Sequence, residues 1–361
     1  MKDTPLVKKH EALGAKMAEF AGYNMPITYA GINEEHQAVR TGVGVFDVSH
    51  MGEFLLKGEH ALDLIQKIGS NDASKLVDNK AQYSCMPNGK GGVVDDLLIY
   101  RIAEDEYLLV VNASNIEKDW NWIKQNDEWG VDMQDLSDNY ALLAVQGPKA
   151  AESMQSLTNL DLLNMKYYTF DKGTFAGIDD VIVSATGYTG SGGFELYVPA
   201  DKAEQVWDAV FKAGADFGIV PVGLAARDTL RLEMGFCLYG NDITDETNPI
   251  EAGLGWITKF TKDFIDADYL AKVKEEGPKR RLIGFELVDK GIARKDYPIL
   301  DVNDNQIGFV TSGTMSPSLS KAIGLGYVSA DFAGVGNEIF IGIRKKKVQA
   351  KIVSFPFYKA N

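Results

Sequence analysis

Apolar and polar positions along this chain change period several times, and the changes predict a mixture of helices and strands. Leu6, Leu13, Met17 and Phe20 recur at helical spacing, which predicts a first helix reaching about Phe20. A second helix is predicted from near Asn33 through Val39. Residues 44–57 read as strand, with His50 and Met51 inside it. The stretch from Asn115 to about Asn126 reads as an amphipathic helix, capped by Asn115 and carrying Trp120 and Ile123 on one face. Strand Ala141–Val145 follows, and Gly147-Pro148 then opens another helix. Asp201 and Glu204 are spaced as a capping box for a helix through Phe211. Such irregular alternation predicts an α+β fold rather than a doubly wound sheet.

The pattern changes after the charged Gly-Pro segment Lys274-Glu275-Glu276-Gly277-Pro278-Lys279-Arg280-Arg281, which reads as a linker. Beyond it come short alternating runs: Leu282–Leu287, Gln306–Thr311, Lys321–Val328, Glu338–Ile343 and Val348–Val353. Asn303-Asp304-Asn305 is a candidate hairpin turn. This last part of the chain is expected to be a separate small β-barrel or sandwich.

One strand-like run holds a chemical oddity. Gly91-Gly92-Val93-Val94-Asp95-Asp96-Leu97-Leu98-Ile99-Tyr100 is among the most apolar stretches, yet it contains two adjacent aspartates. In a strand, Asp96 shares a face with Val94, Leu98 and Tyr100, and Asp95 shares the other with Val93, Leu97 and Ile99. Both faces are apolar, so at least one carboxylate is expected in apolar surroundings, which costs free energy unless it is hydrogen-bonded or its pKa rises. A strand-end aspartate capping a turn is the plainer alternative, and position alone does not choose between them.

Composition narrows the function classes. The chain has 361 residues, which favours two or three domains. A net charge of −14 argues against nucleic acid as the main ligand. No apolar run is long enough to span a bilayer, and Met1-Lys2-Asp3-Thr4-Pro5 has neither signal- nor transit-peptide character, so a cytoplasmic protein without a membrane role is expected. Cys85 and Cys237 are the only cysteines, both in apolar settings, which fits a reducing compartment. His10, His36, His50 and His60 lack metal-ligand spacing, so no metal site is expected. The glycine-rich Gly187-Tyr188-Thr189-Gly190-Ser191-Gly192-Gly193 does not open a helix after a strand and is no dinucleotide fingerprint.

Three further features carry candidate chemistry. Phe46-Asp47-Val48-Ser49-His50-Met51-Gly52-Glu53 crowds polar and apolar groups together, though ordinary strand alternation explains it equally. The glycine-rich loop delivers Tyr188 and then Glu195 at a strand start, where functional polar groups favour loop edges; an ordinary hairpin with an exposed Glu is the alternative. In Gly223–Gly235, Arg227 and Arg231 lie four residues apart with Asp228 in reach of Arg231, which is also the pattern of a surface salt-bridge cluster. No nucleophile–base pair stands out. Carboxylates, tyrosines and arginine among apolar groups suit a flat, polar heteroaromatic ligand, whose amino-pyrimidine edge can give two N–H bonds to a carboxylate.

Taken together the motifs resemble the T-protein of the glycine cleavage system, an aminomethyltransferase family. The resemblance runs from Thr4-Pro5-Leu6 and Phe20-Ala21-Gly22 through Phe46–Met51, Gly91–Tyr100, Val145-Gln146-Gly147-Pro148 and Gly187-Tyr188-Thr189-Gly190. It continues through Gly223–Glu233, Leu238-Tyr239-Gly240-Asn241-Asp242, Thr311-Ser312-Gly313 and Ser316-Pro317-Ser318-Leu319. It implies three domains in a cloverleaf around a central folate cavity: residues 1–50 with 140–250, an inserted 51–139, a connection 251–278 and a C-terminal barrel or jelly-roll-like unit 279–361. It also implies transfer of the one-carbon unit from aminomethyl-dihydrolipoyl H-protein to tetrahydrofolate as co-substrate, with the lipoyl group carried by the partner.

By the same resemblance Asp96 is the catalytic aspartate and Asp95 its structural neighbour. Glu195 binds the pterin edge, and Arg227 lies at the cavity. Met51, Tyr83, Tyr100, Asn112, Tyr168, Tyr188 and Tyr239 match pocket-lining positions, and Trp256 and Arg294 match positions near the folate tail. Two departures stand out: Ser191-Gly192 replaces the usual acidic pair, and Tyr23 stands where tryptophan is common. Two basic clusters, Lys279-Arg280-Arg281 and Arg344-Lys345-Lys346-Lys347, are candidates for steering an acidic partner. A non-catalytic folate-binding iron–sulfur assembly factor is the alternative within the superfamily, but its Lys-Gly-Cys-Tyr motif is replaced by Gly235-Phe236-Cys237-Leu238-Tyr239. A folate-dependent demethylating oxidase module would carry a flavin domain whose fingerprint is missing.

Overall fold

The computed structural model describes residues 1–359 and shows a mixed α/β chain in two compact units. The first takes Met1–Ile65, Ala73–Tyr83 and Leu97–Asp228; the second takes Gln66–Asp72, Ser84–Asp96 and the chain from Thr229 onward.

The first unit is built on a six-stranded sheet. Its order is Phe170–Phe175, Ile178–Ser184, Gly193–Pro199, Tyr140–Gln146, Gly44–Asp47 and Val220–Pro221. Tyr140–Gln146 runs antiparallel to both neighbours, with Ala144 opposite Glu195 on one side and Phe46 on the other. Alternate residues Leu143 and Val145 join Leu196 and Val198 in one core with Val206, Trp207 and Val210 of the helix Ala203–Ala213. Burial of each large apolar side chain there contributes about 1.5–3 kcal/mol.

A five-stranded sheet has the order Lys80–Pro87, Val93–Ala103, Glu106–Val111, Gly52–Lys57, Asp132–Asp135. Its first two strands each change unit along their length: Leu97–Ala103 belongs to the first unit and Val93–Asp96 to the second.

The C-terminal part of the second unit is a closed six-stranded barrel, ordered Arg280–Leu287, Lys321–Ser329, Gln306–Ser316, Pro298–Leu300, Glu338–Ile343, Lys346–Val353. Alternation fills it: Ile283, Phe285 and Leu287 point into one core with Ile339, Ile341, Val348, Ala350 and Ile352. The turn predicted at Asn303-Asp304-Asn305 is held by Asp301, whose carboxylate accepts the Asn303 and Asn305 amides. The three-residue strand Pro298–Leu300 had no sequence signal of its own.

Several local expectations are corrected. The first helix ends at Ala12, and Met17 and Phe20 lie on the mostly exposed strand Lys16–Phe20. The run 44–57 is two strands, Gly44–Asp47 and Gly52–Lys57, and the intervening Val48–Met51 forms a turn closed by Met51 N–H to Val48 O at 3.1 Å. Asp201 makes no capping bond; a short 3-10 turn, Ala200–Lys202, leads into the helix Ala203–Ala213 instead. Arg231 is not on a surface: it is 1% exposed. Among the described residues no helix is long and apolar enough to cross a membrane.

Candidate functional site

The turn after Gly44–Asp47 is fixed by a buried carboxylate. Asp47 accepts the Thr4 hydroxyl at 2.6 Å, the Ser49 amide at 2.9 Å and His10 Nε2 at 2.8 Å. Because a carboxylate only accepts, His10 Nε2 carries a proton toward Asp47, and Nδ1 lies 2.9 Å from the Tyr29 hydroxyl. Burial pushes the Asp47 carboxyl up, but His10, Ser49 and Thr4 outweigh it and hold it below the usual range. The anchored turn presents His50 and Met51. His50 is 3% exposed, its Nδ1 has no hydrogen-bond partner among the described residues, and burial together with the Arg227 charge lowers its pKa to about 4 against a weaker pull from Asp47. It is a neutral imidazole at neutral pH, edge-on to Phe20 with ring centroids 5.5 Å apart. Met51 is half-buried.

The glycine-rich loop is held from below. Gln146 donates to the Thr186 and Phe194 carbonyls at 3.1 and 3.2 Å and accepts the Thr189 hydroxyl at 2.9 Å. Arg40 donates to the Thr189 carbonyl and, at 2.7 Å, to the Ser191 hydroxyl. Ser191, at a position usually acidic in the resembled family, therefore still accepts from a cation. Gly193 has φ +124°, and a Cβ there would lie 2.3 Å from the Val145 carbonyl, so the strand start needs glycine.

Beyond that glycine the chain delivers Glu195, which is buried rather than exposed on a hairpin. Thr186 donates to its Oε2 at 2.5 Å. Thr186 is also 2.9 Å from Ser184 Oγ and 3.1 Å from the Tyr100 hydroxyl, which accepts the Tyr197 hydroxyl at 3.0 Å. Tyr100 is wholly buried, so its reach is into this hydroxyl network. Burial raises the Glu195 carboxyl, with the Thr186 bond and the Arg227 charge pulling it back. Arg227 rests over the Tyr188 ring at 4.7 Å, and its buried Nη1 has no hydrogen-bond partner among the described residues. Burial lowers the Arg227 pKa, opposed by Glu195 and Tyr188. Tyr168 has φ +63° and packs edge-on to Tyr167 with ring centroids 4.7 Å apart; burial pushes its hydroxyl up, with Tyr167, Tyr100 and Glu195 adding to it. The first unit thus gathers Glu195, Arg227, Tyr188, Tyr100, Tyr168 and His50 into one electrostatic neighbourhood. Tyr83 and Asn112 are half-buried members of the same unit, and the Asn112 carbonyl accepts the Asn115 amide at 2.9 Å.

The remaining candidates lie in the second unit. The paired aspartates are divided by burial: Asp95 is 0% exposed, whereas Asp96 is half-buried. Burial pushes up both the Cys85 and Cys237 thiols, and the charge of Asp96 adds to each shift, which places this carboxylate near both. Tyr239 donates its hydroxyl to the Val93 carbonyl at 3.2 Å, three residues before Asp96 on the strand. Trp256 is 62% exposed, and Arg294, also exposed, donates to the Gly313 carbonyl at 3.2 Å.

Of the basic clusters, Arg280 is engaged in a two-pronged pair with Glu251 at 2.9 and 3.0 Å and lies over Tyr327. Arg344, Lys345 and Lys346 are exposed on the hairpin between Glu338–Ile343 and Lys346–Val353. Thr186, Ser184 and the Arg231–Asp242 pair are not evident as site-supporting groups from local pattern. The only signal was the hydroxyl-rich Ser184-Ala185-Thr186 ahead of the glycines.

Comparison with known proteins gives one consistent answer. Residues 6–262 match the GCVT N-terminal domain, and residues 280–359 match the glycine cleavage T-protein C-terminal barrel domain. An aminomethyltransferase of Flavobacterium psychrophilum is 66% identical, and one of Bacteroides fragilis 58% identical, each aligned over 99% of this chain and 100% of the relative. The crystal structure of glycine cleavage system aminomethyltransferase T from Bartonella henselae superposes with a TM-score of 0.92 at 34% identity, covering 99% of this chain and 98% of the other. The chain belongs to the glycine cleavage T-protein family of aminomethyltransferases.

Proposed function

We propose that this aminomethyltransferase takes the aminomethyl group carried on the lipoyl arm of an H-protein and passes its carbon to tetrahydrofolate. The products are 5,10-methylenetetrahydrofolate, ammonia and the dihydrolipoyl H-protein. Full-length kinship with aminomethyltransferases carries the reading.

The chemistry requires the methylene carbon, iminium-like in the transition state, to gain bonds to two folate nitrogens while its bond to the lipoyl sulfur breaks, releasing the thiol, and its bond to nitrogen breaks, releasing ammonia. Asp96 supplies a fixed negative charge that orients the folate and stabilises the developing positive charge. Its half-exposure beside a wholly buried Asp95 supports this division of labour. Glu195, steadied by Thr186, binds the N–H edge of the pterin, and Arg227 with Tyr188 forms a second contact there. Met51, Tyr83, Tyr100, Asn112 and Tyr168, all of the first unit, line or support the pterin site, and Tyr239 of the second unit holds the Asp96 strand at Val93. Trp256 and the exposed Arg294 serve the folate tail, where a cation suits carboxylates. The buried Cys237 thiol gives no support to an iron–sulfur assembly role. The burial of both Cys85 and Cys237 supports a reducing, cytoplasmic setting for the reaction.

Asp96→Asn tests the assignment. In an assay of methylenetetrahydrofolate formation from loaded H-protein, turnover is expected to fall by about 100-fold or more while folate affinity changes less than about threefold. Near-normal turnover would sink the role.

A further inference from the structure

We propose that Asp242, paired with Arg231, is a positioning residue that sets the place of Asp96 by fixing the loop that clamps the base of its strand. The proposal rests on the reading of Asp96 given above, and every residue in it lies in the second unit.

Asp242 is 0% exposed, and both its carboxylate oxygens are fully engaged. Oδ2 accepts Arg231 Nη1 at 2.6 Å and the Leu238 amide at 3.0 Å. Oδ1 accepts the Ser312 hydroxyl at 2.8 Å and the Thr311 hydroxyl. Its backbone is held too, since the Asp242 amide donates to Leu238 O at 2.9 Å and Tyr327 donates to Asp242 O at 2.8 Å. Arg231 donates in addition to Ser312 Oγ and Phe236 O, both at 2.9 Å. One buried anion thus ties the loop 238–242 to Arg231, in the second-unit part of its helix, and to the barrel strand Gln306–Ser316.

The fixed loop grips the base of the aspartate strand at successive points. Tyr239 donates to the Val93 carbonyl at 3.2 Å, and the Val93 amide donates to Thr244 O at 3.2 Å. Asn88 Nδ2 donates to Asp245 O at 2.9 Å. At Gly92 the loop comes so close that a Cβ would lie 1.7 Å from Asp245 O. Both polar groups of Val93 are therefore held by residues flanking Asp242, and Asp96 follows three positions later. A buried ion pair is a weak source of net stability, because well-packed apolar groups often replace it without loss. Four donors on one shielded carboxylate supply direction instead, and a reacting group displaced by about 1 Å costs about 100-fold in rate.

The test uses the full-length protein with tetrahydrofolate and aminomethyl-loaded H-protein. Asp242→Asn is expected to lower kcat about 30-fold and Thr311→Val about 10-fold, each with KM for tetrahydrofolate within about threefold, and Thr311→Ser to restore the rate. In an Asp96→Asn background, Asp242→Asn is expected to add less than about twofold, because it acts through the missing carboxylate. Amide exchange at Val93 is expected to quicken about 10-fold in Asp242→Asn while the barrel strands keep their protection. Should Asp242→Asn fail to fold, Thr311→Val carries the same readouts. Unchanged kcat and Val93 exchange in folded Thr311→Val or Asp242→Asn, alongside an impaired Asp96→Asn, overturns the proposal. Normal turnover in Asp96→Asn overturns the Asp96 reading instead, and exchange at Val93 then decides the clamp by itself.

Discussion

The Thr186 hydroxyl points at Glu195 and donates to its Oε2 at 2.5 Å. This bond steadies a carboxylate that burial alone would push toward its neutral form. Hydrogen bonds to charged groups contribute about 1.5–3 kcal/mol, so Thr186→Val is expected to raise KM for tetrahydrofolate by about 10-fold or more. The loss should fall on folate binding, with kcat nearly unchanged, and Thr186→Ser should recover it. Steady-state kinetics with folate varied at saturating H-protein checks this. A fall in kcat at unchanged KM would place Glu195 on the reacting carbon rather than the pterin edge.

His50 gives the fold an acid sensitivity. Its pKa falls from an ordinary 6.5 to about 4 in the folded chain, through burial and the facing Arg227, with Asp47 opposing. The unfolded chain therefore takes up the proton first. The neutral ring's contribution is fully present above about pH 6.5 and is lost as the pH falls toward about 4; the shift corresponds to about 3 kcal/mol. Glu53 and Glu195 are raised by burial and act in the opposite sense above their ordinary range. The comparison must therefore be with His50→Gln. Denaturant unfolding at a series of pH values should show the wild-type advantage over His50→Gln growing from pH 4 to about 6.5 and then levelling. A pH-independent difference would show that His50 does not titrate across this window.

Only part of the basic hairpin is committed elsewhere. Lys347 is tied to Asp304, to the Val302 carbonyl at 3.0 Å and to the Phe340 ring at 4.2 Å, while Arg344, Lys345 and Lys346 project into solvent. On a chain of net charge −14 they form a local positive field suited to an acidic partner. Reversing these three to Glu is expected to raise the KM for H-protein several-fold at low salt and to flatten its salt dependence, leaving the KM for folate unchanged. An unaltered salt dependence removes the docking role.

The barrel was the most legible part of the fold, because Ile283, Phe285 and Leu287 or Val348, Ala350 and Ile352 alternate cleanly when one strand face is buried. The N-terminus misled for the converse reason. Lys16–Phe20 is largely exposed, so its apolar residues reported no periodicity of packing and happened to fit a helix begun at Leu6. The interruption at Val48–Met51 was hidden because Asp47 makes the turn through Thr4 and His10, partners distant in sequence. At the site, local pattern marked Glu195 and Arg227 only beside plainer alternatives, and the family resemblance alone supplied their expected roles. Arg231 looked like a surface cation because its partners, Asp242 and Ser312, come from segments that only the folded chain brings together.

The partition of the strand Val93–Ala103, with Asp96 on one side and Leu97 on the other, also bears on how the protein is made. Ribosomal synthesis releases Gln66–Asp72 and Ser84–Asp96 more than a hundred residues before Thr229, where the bulk of their own unit begins. Those segments emerge early and must wait for the later chain, around residues 244–265, whose backbone they hydrogen-bond. No single cut of the gene yields either unit intact, so half-length fragments are expected to aggregate, and the nascent chain passes through a stage at which Asp96 has been synthesised but cannot yet be set in place.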